Sequence, residues 1–327
     1  MTLPVSIAST NDSTSVYEEK TQAIARQLLQ DSQERQSFLA SLRDQMRWDD
    51  KLLNWTMGNS GLRVQMFRLI DCLPALTTKT EIARHMQDYL GDDSVELPQA
   101  LKSLLNFANP DSMPGQVAAT TFSTGVETLA RKYISGETLK QSLKTIEQLR
   151  KQSMTFTMDL LGEAVVTETE AQAYLDQYLD LITQLTEAST RWKSVPQIDE
   201  AQGVALSKVQ VSVKLTAFYS QFDPLDVGGS RAAVSDRIRT LLRHAKDKGA
   251  AVHFDMEQYR YKNATLDTLK SLLMEDEFRQ RSDIGVTIQA YLRDSYQDLQ
   301  DLIAWVKDRG TPISVRLIKG AYWDQET

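Results

Sequence analysis

Cysteine is nearly missing from this chain. Cys72 is the one thiol in 327 residues, so no disulfide can close within it, in keeping with a reducing compartment. Histidine is scarce too. His85, His244 and His253 do not group with cysteine at any zinc-site spacing, and no metal is expected. No apolar run approaches the ~18 residues needed to cross a bilayer. The first 25 residues are polar and acidic, without the apolar stretch of a secretory signal. These absences favour a cytoplasmic protein. Basic residues are outnumbered, 37 against 44 acidic ones for a net charge of −7. A basic stripe is missing, which argues against a nucleic-acid partner.

What is present is ordinary globular composition, 41% hydrophobic and 25% charged. The length suits about two domains, or one barrel with an extension. Residues 1–45 form an N-terminal segment whose Ser/Thr-rich start reads as disordered. Residues 46–150 read as an all-helical domain. Trp48, Leu52, Leu53, Trp55 and Met57 open it, and Leu62, Met66, Phe67, Leu69 and Ile70 follow at the spacing of one helix face. Pro74 ends that helix, and Thr78 with Glu81 reads as the capping box of the next, which carries Ile82, Met86 and Tyr89. Gly91, Pro98, Pro110 and Pro114 punctuate the remainder.

From 151 to 327 the texture changes. Short apolar runs at 156–161, 209–215, 252–257, 285–292 and 313–321 alternate with helical stretches at about 169–190, 230–248, 264–276 and 296–309. Strand then helix, repeated, predicts parallel strands with helical crossovers. A doubly wound sheet and a (β/α)8 barrel both satisfy that. No GxGxxG follows the first run, which weighs against a dinucleotide-binding sheet.

Side-chain parity sharpens the reading, because alternate residues of a strand face opposite sides. Val209, Val211 and Val213 share one face, and Gln210, Ser212 and Lys214 the other. Val252, Phe254 and Met256 oppose His253, Asp255 and Glu257, and Val286 and Ile288 oppose Thr287 and Gln289. Arg316 lies mid-strand on the side of Ile318 and Gly320. Asp159, Lys214, Asp255, Gln289 and Arg316 thus mark the C-terminal ends of five successive runs, with Lys319 just beyond. Barrel enzymes place their sites at this end. Such charges also serve as structural ion pairs, and Asp255 with Lys214 is one candidate pairing. For Arg316 a purely structural role is harder to sustain, since GAYW at 320–323 supplies a glycine and two aromatics beside it.

TFTMDLLGEAVVTE at 155–168, VSVKLTAFYSQ at 211–221, FDMEQ at 254–258, GVTIQAYLRDS at 285–295 and VRLIKGAYWDQE at 315–326 together resemble proline dehydrogenase, in the form found in bifunctional proline utilization A proteins. LLNWTMGNSGLRVQMFRLIDCLPAL at 52–76 and SMPGQVAATTF at 112–122 resemble the helical part of that family. The resemblance implies an α/β fold: a helical N-terminal domain, then a (β/α)8 TIM-type barrel of which about five of eight strands are here. It implies FAD-dependent oxidation of L-proline to 1-pyrroline-5-carboxylate, the first step of proline catabolism to glutamate. A quinone or membrane electron acceptor would follow, with peripheral attachment at the inner membrane face, and a homo-oligomer is open.

Residue by residue, Asp255 and Arg316 match the family's catalytic pair, and Lys214, Asp159 and Tyr322 belong at the proline end of the pocket. Asp255, Met256, Gln289, Arg316, Ile318, Lys319, Gly320, Ala321 and Trp323 match cofactor-contacting positions. The chain departs from the family in stopping at Thr327, directly after the fifth run, ahead of the later strands and of the final-helix arginine pair that clamps the proline carboxylate. The expectation is therefore an incomplete barrel, inactive by itself. No DNA-binding ribbon-helix-helix module precedes the helical part, so repression is not expected. Two readings of other classes stand beside this one: a helical scaffold or oligomerisation module, and an aldolase-like enzyme with a Schiff base on Lys214.

Overall fold

The computed structural model describes residues 13–34, 58–91, 102–103, 105, 109–130, 134–162, 165–322 and 326. Two compact units divide it, residues 1–134 and residues 135–327.

The described part of the first unit is helical: α1 (Ser13–Glu34), α2 (Ser60–Cys72), α3 (Lys79–Leu90) and α4 (Met113–Ala130). Asn59 starts α2 by accepting the Leu62 N–H at 3.0 Å. Pro74 sits in a 3-10 turn directly after it. Thr78 and Glu81 form the capping box in both directions, Thr78 Oγ1 accepting from Glu81 N–H at 3.2 Å and Glu81 Oε2 from Thr78 N–H at 2.9 Å. Leu62, Met66 and Leu69 meet Ala83, Met86, Leu90, Ala119 and Phe122 in one core. Phe67, expected with them, is half-exposed. Trp48, Leu52, Leu53, Trp55, Met57 and Pro98 lie outside the described residues.

The second unit opens with α5 (Leu139–Lys151), whose Ile146 joins this unit's core. Then come α6 (Glu168–Ser189), a one-turn helix (Pro196–Asp199), and a short hairpin of β1 (Glu200–Ala201) and β2 (Val204–Ala205). Four strands and three long helices follow in alternation: β3 (Gln210–Val213), α7 (Val227–Lys248), β4 (Ala251–Phe254), α8 (Tyr259–Leu273), β5 (Ile284–Gln289), α9 (Ser295–Arg309) and β6 (Ser314–Ile318).

The strands pair in parallel in the order β3-β4-β5-β6. Each neighbours the next in sequence, with no reversal of the kind that makes a doubly wound sheet. The outward parity, Val211, Val213, Val252, Phe254, Val286 and Ile288, is buried in one core with α6, α7 and α8. The polar parity lines the other face. This is an arc of a (β/α) barrel, one of the two architectures that the strand–helix alternation allows.

Two details differ from the expectation. The run at 156–161 adds one parallel bridge, Met158 to Val211, rather than a full strand. Side chains take over the ladder there: Tyr174 donates its hydroxyl to Leu160 O at 2.8 Å, and Tyr178 accepts the Leu160 N–H at 3.3 Å. α8 starts at Tyr259, five residues ahead of the expected 264, because Lys262 hides its apolar pattern. That lysine is buried, with Asp294 at 2.7 Å and Asp298 at 2.5 Å.

A charged layer at the ends of the strands

Register assembles the site. Ser212, His253, Gly285 and Ser314 stand opposite one another across the four strands. Two residues further on, the same register aligns Lys214, Asp255, Thr287 and Arg316, with Thr287 and Arg316 directly paired. Gln289 pairs with Ile318 one layer higher. Of the other four strand-end positions picked from parity, Lys214, Asp255 and Gln289 therefore share the inner face with Arg316. The residue in its own layer that parity did not single out is Thr287.

Among the described residues the charges meet in two places. Arg316 Nη1 donates to Asp255 Oδ1 at 3.0 Å, and Arg316 Nη2 to Thr157 Oγ1 at 3.3 Å. Thr157 in turn donates to Gln210 Oε1 at 2.6 Å. Lys214 Nζ meets Asp159 Oδ2 at 2.7 Å. The alternative pairing of Asp255 with Lys214 is therefore not formed. The guanidinium occupies Asp255, and Asp159 from the first run reaches Lys214 instead. The Arg316 side chain remains 38% exposed against 18% for Asp255. Its fork carries five N–H donors, so it can still meet a ligand beyond its two protein partners.

Tyr178 supports the Lys214–Asp159 pair from behind. Its hydroxyl lies 2.7 Å from Ser212 O and 3.1 Å from Asp159 Oδ1, and burial pushes its ionisation far above the ordinary range. It therefore stays a neutral donor. Gln289 is buried and ties two loops: its Nε2 donates to Glu257 O at 3.1 Å and its Oε1 accepts the Ala321 N–H at 3.2 Å. Glu257, buried as well, accepts from the Thr216 hydroxyl and from Thr216 N–H. Parity put Glu257 on this face, but nothing in the sequence marked Thr157, Thr216 or Tyr178, whose roles come from contacts across 41 to 53 positions or from a helix packed behind the strand.

Met256 is buried, Ile318 and Tyr322 are half-buried, and Lys319 is exposed at the rim. Gly320 has φ of +137°, and a Cβ there would fall 1.2 Å from Cε1 of Tyr291. The Tyr291 ring thus fills the place of the missing side chain. Burial and a hydrogen bond to Glu326 raise that phenol to about 12. A cavity of about 720 Å³ opens beside it, between Gln258, Tyr259 and Arg260 at the start of α8 and Tyr291, Arg293 and Asp294 after β5. Trp323 lies outside the described residues. His253, behind the charged layer, is 3% exposed. Burial, followed by the positive Arg316, holds its imidazole down at about 4. Among the described residues no group of acidic, histidine and cysteine side chains is arranged to hold a metal, and no helix is long and apolar enough to cross a membrane.

The fold agrees with comparisons to known proteins. Residues 142–327 match the proline dehydrogenase family, and residues 18–133 match the proline utilization A N-terminal domain. The crystal structure of proline utilization A from Bdellovibrio bacteriovorus inactivated by N-propargylglycine is 39% identical, with a TM-score of 0.73 over 85% of this chain and 26% of that one. Bifunctional protein PutA of Escherichia coli is 27% identical over 198 residues, 61% of this chain and 14% of that protein. Proline dehydrogenase 1 of Bacillus subtilis is 28% identical over 193 residues, 59% of this chain and 52% of that protein. The chain thus spans about 14% of the length of the bifunctional relative and about half that of the shorter one. It belongs to the proline dehydrogenase family, with a proline utilization A N-terminal domain ahead of the dehydrogenase portion.

Proposed function

We propose that this chain carries the cofactor-facing part of a proline dehydrogenase that oxidises L-proline to 1-pyrroline-5-carboxylate with FAD. The observation that carries the reading is the layer Lys214, Asp255, Thr287 and Arg316, with its two ion pairs at the C-terminal ends of parallel strands. The donor set suits a flavin. Arg316 is a partly exposed cation, Lys319 is an exposed amine at the rim, Met256 and Ile318 are apolar, and the buried Gln289 fixes the Ala321 backbone beside them. Arg316, Gln289, Lys319, Gly320 and Ala321 would hold the cofactor, with Asp255, Met256, Ile318, Tyr322 and Trp323 beside it. When bound, FAD supplies the two-electron acceptor.

The chain's own groups do the positioning. Lys214, held by Asp159, would offer a fixed ammonium to the substrate carboxylate. Arg316, held by Asp255 and Thr157, keeps a positive charge where negative charge would accumulate, the kind of preorganised electrostatic stabilisation that needs no rearrangement during reaction. An aldolase-like Schiff base is less well supported, since the Lys214 amine is engaged in the ion pair with Asp159. Electron transfer onward to a quinone or membrane acceptor belongs to the same proposal. Titration of the full-length protein with FAD tests the reading: saturable binding with a perturbed flavin spectrum is expected, and a folded protein without saturable flavin binding would contradict it.

A further inference from the structure

Two buried polar residues of the inner face have been given no contact with substrate or cofactor in the function proposed above. His253 and Thr287, on the adjacent strands β4 and β5, are 3% and 1% exposed. His253 Nε2 lies 3.0 Å from Thr287 Oγ1, and Thr287 Oγ1 lies 3.2 Å from Asp255 Oδ1. That same carboxylate oxygen receives Arg316 Nη1. An ionised carboxylate only accepts, so the threonine proton points at Asp255. The threonine oxygen then accepts, and the proton of the imidazole sits on Nε2. Nδ1 is left bare, facing Gly285. A Cβ at Gly285 would stand 2.3 Å from Nδ1, so glycine at this register partner of His253 is what leaves room for the ring.

We infer that His253 and Thr287 form a two-link hydrogen-bond chain that fixes the Asp255 carboxylate against Arg316, which makes both of them positioning residues for that pair. The chain is directional. His253 donates to Thr287, Thr287 donates to Asp255, and Asp255 accepts from Arg316. Depression of the imidazole to about 4 agrees with this, since a neutral ring at neutral pH has one donor and that donor is used. A rotated Asp255 would release one arm of the guanidinium, and small misplacements of a preorganised group carry large rate effects. In its consequence for turnover the inference rests on the reading of this site as a proline dehydrogenase centre. The hydrogen-bond chain itself does not.

The test compares the wild-type full chain with Thr287→Val, which removes the hydroxyl, and Thr287→Ser, which keeps it. Histidine 15N spectra are tractable because the chain has three histidines. The expected wild-type spectrum shows His253 with the proton on Nε2 and a bare Nδ1 through neutral pH. Thr287→Ser retains it and Thr287→Val loses it. In proline turnover, Thr287→Val lowers kcat by about tenfold, the scale of one hydrogen bond to a charged group, with KM nearly unchanged, while Thr287→Ser stays within about twofold. Should Thr287→Val fail to fold, His253→Gln, which keeps a donor, against His253→Leu, which does not, makes the same comparison. A proton on Nδ1 in the wild type, or valine and serine variants alike in spectrum and kcat, would overturn the inference. A wild type that shows the expected spectrum but does not oxidise proline would contradict the functional reading and support the hydrogen-bond chain.

Discussion

Arg316 and Asp255 meet at 3.0 Å although 61 positions separate them in the chain. The contact exists because β4, β5 and β6 pair in strict parallel register, which brings the end of one strand level with the middle of another. Arg316→Met keeps an unbranched apolar stem and removes the fork. The expected result is a loss of about a hundredfold in kcat for proline, the scale of one removed preorganised donor, with steady-state kinetics as the check. Unchanged kinetics would make Arg316 a structural ion-pair partner only.

Lys214 and Asp159 predict a different kinetic signature. Lys214→Met removes the cation offered to the substrate carboxylate, so KM for proline should rise by about tenfold or more, the worth of a charge-assisted hydrogen bond. Asp159→Asn keeps the shape and loses the charge, and its effect on KM should be smaller. An unchanged KM in Lys214→Met would contradict the assignment of Lys214 to the substrate carboxylate.

Gly320 predicts a coupling. Alanine there meets both a positive φ and the Tyr291 ring. A non-glycine residue held in such a conformation costs about 1–3 kcal/mol before any overlap is counted. Thermal unfolding should therefore show Gly320→Ala strongly destabilising in the presence of Tyr291. In a Tyr291→Ala background the same change should be milder, because only the backbone strain remains. Additive effects would show that the ring does not occupy the glycine's open side.

His253 predicts a pH dependence with a definite sign. Its ordinary value of 6.5 falls to about 4 in the fold. Between those values the unfolded chain binds a proton that the folded chain refuses, so stability rises with pH. The contribution is complete above about pH 6.5, is lost as pH falls toward 4, and amounts to about 3 kcal/mol at most. Denaturant unfolding of wild type against His253→Gln across this range checks it: the difference between the two should change between pH 6.5 and 4 and be flat above. A flat difference throughout would mean that the imidazole is not depressed.

Much of this was legible in the sequence because strand parity and the capping signals are local. Val211, Val213, Val252 and Phe254 announce a buried face by alternation alone, and Thr78 with Glu81 announces a helix start within four positions. What parity does not carry is register. It made Asp159, Lys214, Asp255, Gln289 and Arg316 look equivalent, whereas pairing puts Gln289 a layer above Arg316 and puts Thr287 beside it. Partner choice was likewise hidden. Lys214 pairs with Asp159, while Asp255, level with it on the adjacent strand, takes the Arg316 guanidinium. The burial of His253, Lys262 and Glu257 runs against composition-based expectation, and each is satisfied by a partner 32 or more positions away.

Oxidation of proline at these strand ends through a bound flavin is the proposed reaction. Anaerobic mixing of the FAD-loaded full-length protein with L-proline tests it most directly, read as loss of the oxidised-flavin absorbance together with chemical trapping of 1-pyrroline-5-carboxylate. The account predicts stoichiometric bleaching by L-proline, matched by trapped product, and a much slower bleach in Arg316→Met. A folded, flavin-loaded wild type whose spectrum does not change with saturating L-proline would contradict it.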